Sequence, residues 1–135
     1  FSVRYVTSLR DLNQACRSVK YGFSGNTLLR SDVACGNSGN LQPLADQVLA
    51  LNLRFECSDG SIEDAGSPPC SGNRYPRAAL VTVVVASTDP APGNPSDAVS
   101  FVIPTRNSTQ TVTCPSGRIC YALTERVELP SLKDK

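Results

Sequence analysis

From residue 49 to residue 57 the chain alternates strictly. Leu49, Leu51, Leu53, Phe55 and Cys57 fall on one side of an extended backbone, and Ala50, Asn52, Arg54 and Glu56 on the other. One apolar and one wet face predict a strand of an antiparallel sheet that is covered on one side. Residues 79–87, with Leu80, Val81, Val83, Val84 and Val85, are too few to span a membrane and rich in β-branched side chains. They predict a buried strand beside the first. Residues 98–103, 109–114 and 119–129 predict three more strands. Residues 58–78 and 88–97 are turn-rich, and residues 130–135 form a charged tail.

Residues 1–19 carry a different period. Val6, Leu9, Leu12, Cys16 and Val19 recur at intervals of three and four, with Arg4, Arg10, Asp11 and Arg17 between them. That stripe predicts an amphipathic helix, ended by Gly22 and Gly25. Residues 20–40 read as a loop with a short strand at 27–30, and residues 41–47 as one helical turn. The predicted fold class is α+β, an N-terminal helix packed on an antiparallel β-sheet. In it Val6, Leu9, Leu12 and Val19 cover Leu49, Leu51, Leu53 and Phe55. At 135 residues the chain predicts one domain over 1–135. Residues 1–19 would be the remnant of a longer helix, and 44–132 the sheet region.

Composition narrows the chemistry. Thirteen basic and 12 acidic residues leave a net charge of +1, with no long-range pull toward nucleic acid or an acidic surface. There is no His. A Ser-His-Asp triad, a Cys-His pair and a His-based zinc site are therefore excluded for this chain alone. No catalytic site and no cofactor is expected. The six cysteines, Cys16, Cys35, Cys57, Cys70, Cys114 and Cys120, are even in number and include no C-x-x-C pair. They predict a disulfide framework rather than a metal centre. Six cysteines allow 15 pairings. Sequence neighbours close the shortest loops, which favours Cys16–Cys35, Cys57–Cys70 and Cys114–Cys120, each worth roughly 2–4 kcal/mol.

No apolar run approaches the ~18 residues that a membrane helix needs, and no signal peptide is visible. Disulfides nevertheless imply export, and the sequence starts at Phe1 without Met. The expectation is that residues have been removed from the front.

At several places the chain resembles the type IV pilin family. Leu44, Ala45, Asp46, Gln47, Val48, Leu49, Ala50, Leu51, Asn52, Leu53, Arg54 and Phe55 are similar to the turn-then-strand of minor pilins of the PilW type. Tyr75, Pro76 and Arg77, followed by the valine-rich run to Ser87, are similar to the next strand of that group. Tyr121 to Leu132 lies where these proteins carry their last strand, and Leu9 to Cys16 resembles the end of their long helix. The family's apolar N-terminal helix, with a glutamate near its start, is not in this sequence. The resemblance implies a structural subunit of a type IV pilus in the tip or priming complex. That subunit would support pilus assembly, twitching motility, adhesion or DNA uptake. Implied partners are other major and minor pilins, the assembly machinery, the inner membrane through the missing helix, and a surface or DNA. The implied location is the bacterial cell envelope: inner membrane and periplasm before assembly, extracellular pilus after it. A type II secretion minor pseudopilin would share the architecture. A secreted, disulfide-rich adhesin or binding module and, last, a carboxylate hydrolase are the other readings.

Three features suggest chemistry of their own. Asp59, Glu63 and Asp64 lie in the 57–70 loop and offer oxygens to calcium, without EF-hand spacing. A solvated acidic loop is the simpler reading, and no metal is expected. Asn107, Ser108 and Thr109 form a glycosylation sequon. Arg4, Arg10, Arg17 and Lys20, with Arg30 nearby, would give the first helix a basic face of the kind that DNA contacts use, but acidic residues elsewhere cancel the charge and no aromatic series accompanies them, so a solvated helix face is the favoured reading.

Overall fold

The computed structural model describes residues 2–6, 16–65, 69–92, 100–104 and 109–129. These residues form ten strands and no helix. Contacts divide the chain into two units, Phe1–Val48 and Leu49–Lys135.

The first unit is a four-stranded antiparallel sheet in sequence order. It holds β1 (Ser2–Val6), β2 (Cys16–Ser24), β3 (Thr27–Ala34) and β4 (Gln42–Ala45). In the β2–β3 hairpin Ser24 faces Thr27, so only Gly25 and Asn26 lie between the strands. Gly25 sits at φ +56°, the left-handed region that a two-residue hairpin turn demands. The Cys16–Cys35 bridge closes the open end, where the Cys35 N–H also donates to the Cys16 carbonyl at 3.0 Å. Pro43 lies within β4, opposite Leu29 and next to a register shift in β3.

The expected helix over 1–19 is overturned. Val6 and Cys16 face each other across β1 and β2 instead of lying along one helical stripe. From Arg17 the operative period is two: Arg17, Val19, Tyr21 and Phe23 alternate with Ser18, Lys20, Gly22 and Ser24. β-Branched and aromatic side chains at the first set suit a strand. Leu9 and Leu12, on which the helical spacing depended, lie outside the described residues. The glycines read as a helix stop belong to the hairpin. The predicted helical turn at 41–47 is likewise replaced by β4, and the predicted loop at 20–40 is mostly strand.

The second unit contains a four-stranded sheet in the order β10-β7-β5-β6 and a separate β8–β9 hairpin. The strands are β5 (Val48–Cys57, entered from the first unit), β6 (Ile62–Asp64), β7 (Pro76–Ala86), β8 (Ser100–Pro104), β9 (Thr109–Thr113) and β10 (Cys120–Glu128). The strands predicted near 49–57, 79–87, 98–103, 109–114 and 119–129 are all present. What covers the sheet differs from the expectation. Ala50, Val84 and Val112 form a buried cluster, with Leu49 and Phe101 packed against it. Phe101 and Val112 come from β8 and β9, so within this unit a hairpin covers the sheet.

The face it covers includes Ala50, on the side that strict alternation marked as wet. Ala50 and Val84 are small enough for the hairpin to approach closely. Leu51, Leu53 and Phe55, on the other side of β5, are only half-buried. Along the covered side, Thr82 is buried and its hydroxyl meets that of Thr124 on β10 at 2.8 Å. Among the described residues, no helix is long and apolar enough to cross a membrane.

Candidate functional site in the Cys57–Cys70 loop

The acidic loop after β5 is a built structure. β5 turns back into β6, with Arg54, Phe55 and Glu56 facing Asp64, Glu63 and Ile62. The turn is closed by Cys57 N–H donating to the Ser61 carbonyl at 2.8 Å and by Gly60 N–H donating to the Cys57 carbonyl at 2.9 Å. Gly60 sits at φ +82°, which costs little without a Cβ. Asp59 Oδ1 accepts from the Ser61 N–H at 3.1 Å and from its hydroxyl at 2.6 Å, a local turn bond typical of Asp. These bonds to Ser61, and Arg74 beside them, hold the Asp59 carboxyl below its ordinary range.

Glu63 is the centre. It lies on β6 and is 7% exposed, which a carboxylate tolerates only with partners. Its Oε2 accepts from the Cys70 N–H at 3.1 Å, and its Oε1 pairs with the Arg74 guanidinium at 2.7 Å. The same guanidinium donates to the Ser61 hydroxyl at 3.0 Å and the Ser71 carbonyl at 3.2 Å, and reaches Asp59 Oδ2 at 3.4 Å. Glu63 accordingly raises the Arg74 pKa. The Cys57–Cys70 bridge pins the base of this network, with both cysteines buried.

Of the three residues singled out for calcium, the structure gathers Asp59 and Glu63. Asp64 follows Glu63 on β6, where strand alternation turns it to the other face. Both oxygens of Asp59 and both of Glu63 already meet protein donors, and Arg74 supplies the positive charge that a cation would bring. The Cys57 and Cys70 sulfurs lie within 4.8 Å of a Glu63 oxygen, but they are bonded to each other and are not thiolates. The reading of a solvated acidic loop is corrected for Glu63: its side chain is buried and paired. Sequence reasoning missed Arg74; the signal was a basic residue closing a loop otherwise rich in acids. The arrangement holds the described part of this surface loop in one shape.

The described residues of the expected basic helix face, Arg4, Arg17 and Lys20, lie on strands β1 and β2, and Arg30 lies on β3. Arg17 and Arg30 both converge on Asp32, at 2.8 and 2.7 Å, and Lys20 is exposed on β2. Tyr21, ahead of Asp32, raises the Arg30 pKa. Arg10 and the sequon residues Asn107 and Ser108 lie outside the described residues. Arg30 and Asp32 edge an open hollow of about 400 Å³ that also includes Ser31, Val33, Gly39 and Gln42. The Ser31 hydroxyl is buried and has no hydrogen-bond partner among the described residues.

The other cysteine pairs are Cys16–Cys35 and Cys114–Cys120. With Cys57–Cys70 they join sequence neighbours, the pairing that loop closure favours.

No family model matches the chain, and no solved structure matches it. It is similar to the pilin-like protein PilA3 of Thermus thermophilus. The two are 46% identical over 142 aligned positions, which take in 96% of this chain and 56% of the relative. The chain thus spans a little over half the length of the curated relative it matches. The likeness supports the pilin resemblance noted in the sequence and does not reach its PilW-type subgroup. It also moves the ground of that resemblance. The expected helix-on-sheet architecture is gone, and what stands is likeness between residues along nearly the whole chain.

Proposed function

We propose that this chain is a non-enzymatic structural subunit of the type IV pilin kind, acting by packing against other pilins. Its finer role is that of a minor pilin of the PilW type in the tip or priming complex. It serves pilus assembly and, through it, twitching motility, adhesion or DNA uptake. Its place is the cell envelope before assembly and the extracellular pilus after. The observation that carries this reading is the 46% identity to a pilin-like protein across 96% of the chain. The engaged carboxylates of the Cys57–Cys70 loop favour scaffolding over catalysis.

The test is to delete the gene in the source organism and to probe sheared surface filaments for the protein. The expected result is loss or shortening of pili on deletion and co-sedimentation of the protein with filaments. Unchanged piliation, with the protein absent from the sheared fraction, sinks the reading. A defect in protein secretion instead of piliation would move the assignment to a type II pseudopilin.

One observation favours a second reading, a self-contained binding module. The sheet of the second unit is covered by its own β8–β9 hairpin, a closure that needs no pilin helix. On that reading the purified chain binds a surface or protein ligand while filaments form normally without it.

A further inference from the structure

Among the described residues, the outer strands of the two four-stranded sheets are β1, β4, β6 and β10, and they are not alike. β1 is five residues long. β4 is four residues long and carries Pro43, which has no N–H to offer. β6 is three residues long. Short edges and edge prolines are the usual devices against strand addition. β10 has neither. It lies at the outer side of the second unit's sheet and runs nine residues without Pro or Gly, in unbroken register with β7.

The direction of the hydrogen-bonding groups that β7 and the other described residues leave unused follows from the ladder. Cys120 faces Ala86 and Glu128 faces Ala78. Continuing that register, the Leu129 N–H donates to the Arg77 carbonyl at 2.8 Å and the Ser87 N–H to the Ile119 carbonyl at 2.7 Å. Odd-numbered residues of β10 therefore turn their N–H and C=O toward β7. Cys120, Ala122, Thr124, Arg126 and Glu128 turn theirs outward. The odd side chains include Tyr121, Leu123 and Val127, which are 69%, 60% and 48% exposed.

We propose that β10 is a strand-pairing site for a second copy of this chain, the two β10 strands adding antiparallel about a two-fold axis at Thr124. Register and charge favour this pairing. Full overlap of the strand with itself places its midpoint, Thr124, opposite Thr124 of the second copy. Ala122 then faces Arg126, Cys120 faces Glu128, Tyr121 faces Val127 and Leu123 faces Glu125. Every outward N–H meets an outward C=O, and no two like charges stand directly opposite. Registers centred on Glu125 or Arg126 would oppose two carboxylates or two guanidiniums. Arg126 is already held by Glu56 at 2.8 Å and Glu128 at 3.0 Å within its own chain, so the new ladder desolvates no unpaired cation. The proposal does not rest on the pilin reading.

Sedimentation equilibrium on the intact, oxidised chain tests it. The wild type is expected to dimerise. Ala122→Pro removes an outward N–H and leaves the bonds to β7 in place; it should give a monomer with unchanged circular dichroism and melting temperature. Leu123→Glu sets a carboxylate against Glu125 twice over and should weaken dimerisation about tenfold. Leu123→Lys at the same exposed position should not weaken it, and should gain at low salt. A wild type that stays monomeric at every soluble concentration overturns the proposal. So does a folded Ala122→Pro variant that still dimerises, or equal effects of Glu and Lys at 123.

Discussion

Replacing Cys57 and Cys70 together by Ala tests how the acidic loop is held. The bridge spans 13 residues, and closing a loop of that size removes about 3 kcal/mol of unfolded-chain entropy. Both cysteines are essentially sealed from solvent. Trimming them to Ala also leaves small voids, so the expected loss is about 3–4 kcal/mol. For a chain of 135 residues that corresponds to a fall in melting temperature of about 10 °C or more. The local effect is larger than the global one. Without the bridge, nothing covalent keeps the Cys70 N–H on Glu63 Oε2, and residues 58–75 open to water. Calorimetry should report the melting loss, and hydrogen exchange should report early exchange at residue 70 and along β6. The six-residue Cys114–Cys120 loop, treated the same way, should lose about 2 kcal/mol by entropy alone. A loss below about 1 kcal/mol for the Cys57, Cys70 double variant, or continued protection of residue 70, would refute the view that this bridge organises the loop.

Further measurements probe other parts of the structure. Gly39→Ala should destabilise the first unit by about 1–3 kcal/mol, read by chemical denaturation. The new methyl would sit 2.5 Å from Val33 Cγ1, on a stiff β-branched side chain; a neutral result would mean that the 37–40 loop lifts away freely. The Arg126 guanidinium, chiefly by hydrogen bonding, holds Glu56 below its ordinary pKa of 4.5, and the Ser61 bonds hold Asp59 below 3.8. Both groups bind protons more weakly folded than unfolded. Their contribution is whole above those ordinary values and is lost as the pH falls through the folded ones. Melting temperature should therefore hold level down to about pH 5 and drop below it, and Arg126→Gln should flatten the drop. Calcium and a chelator should give the same melting temperature, because the oxygens of Asp59 and Glu63 are already engaged by Arg74, Ser61 and the Cys70 N–H; a calcium-dependent rise would show ligands other than these.

The second unit was more legible than the first because its strands carry long β-branched runs. Val81, Val83, Val84 and Val85 and the alternation from Leu49 to Cys57 leave little choice of period. The first unit misled because five apolar residues between Val6 and Val19 fit a helical spacing, although Val6 and Cys16 belong to different strands. Only the two-residue Gly25–Asn26 turn carried a local hairpin signal. Which face of the sheet is covered could not be read from hydrophobicity. The hairpin packs where Ala50 and Val84 leave room, and alternation records polarity rather than the space available. At the candidate site the acids were visible, but Arg74, 15 residues from Asp59 and 11 from Glu63 in the sequence, needed the β5–β6 turn to bring it home.

The three bridges close consecutive stretches, 16–35, 57–70 and 114–120, and none encloses or crosses another. Each thiol's mate is the next cysteine to emerge if the chain is threaded from its N-terminus into an oxidising compartment. Oxidation in order of arrival thus selects this one arrangement from the 15 available. Maturation of the protein then needs an oxidant at the point of entry and little reshuffling afterwards.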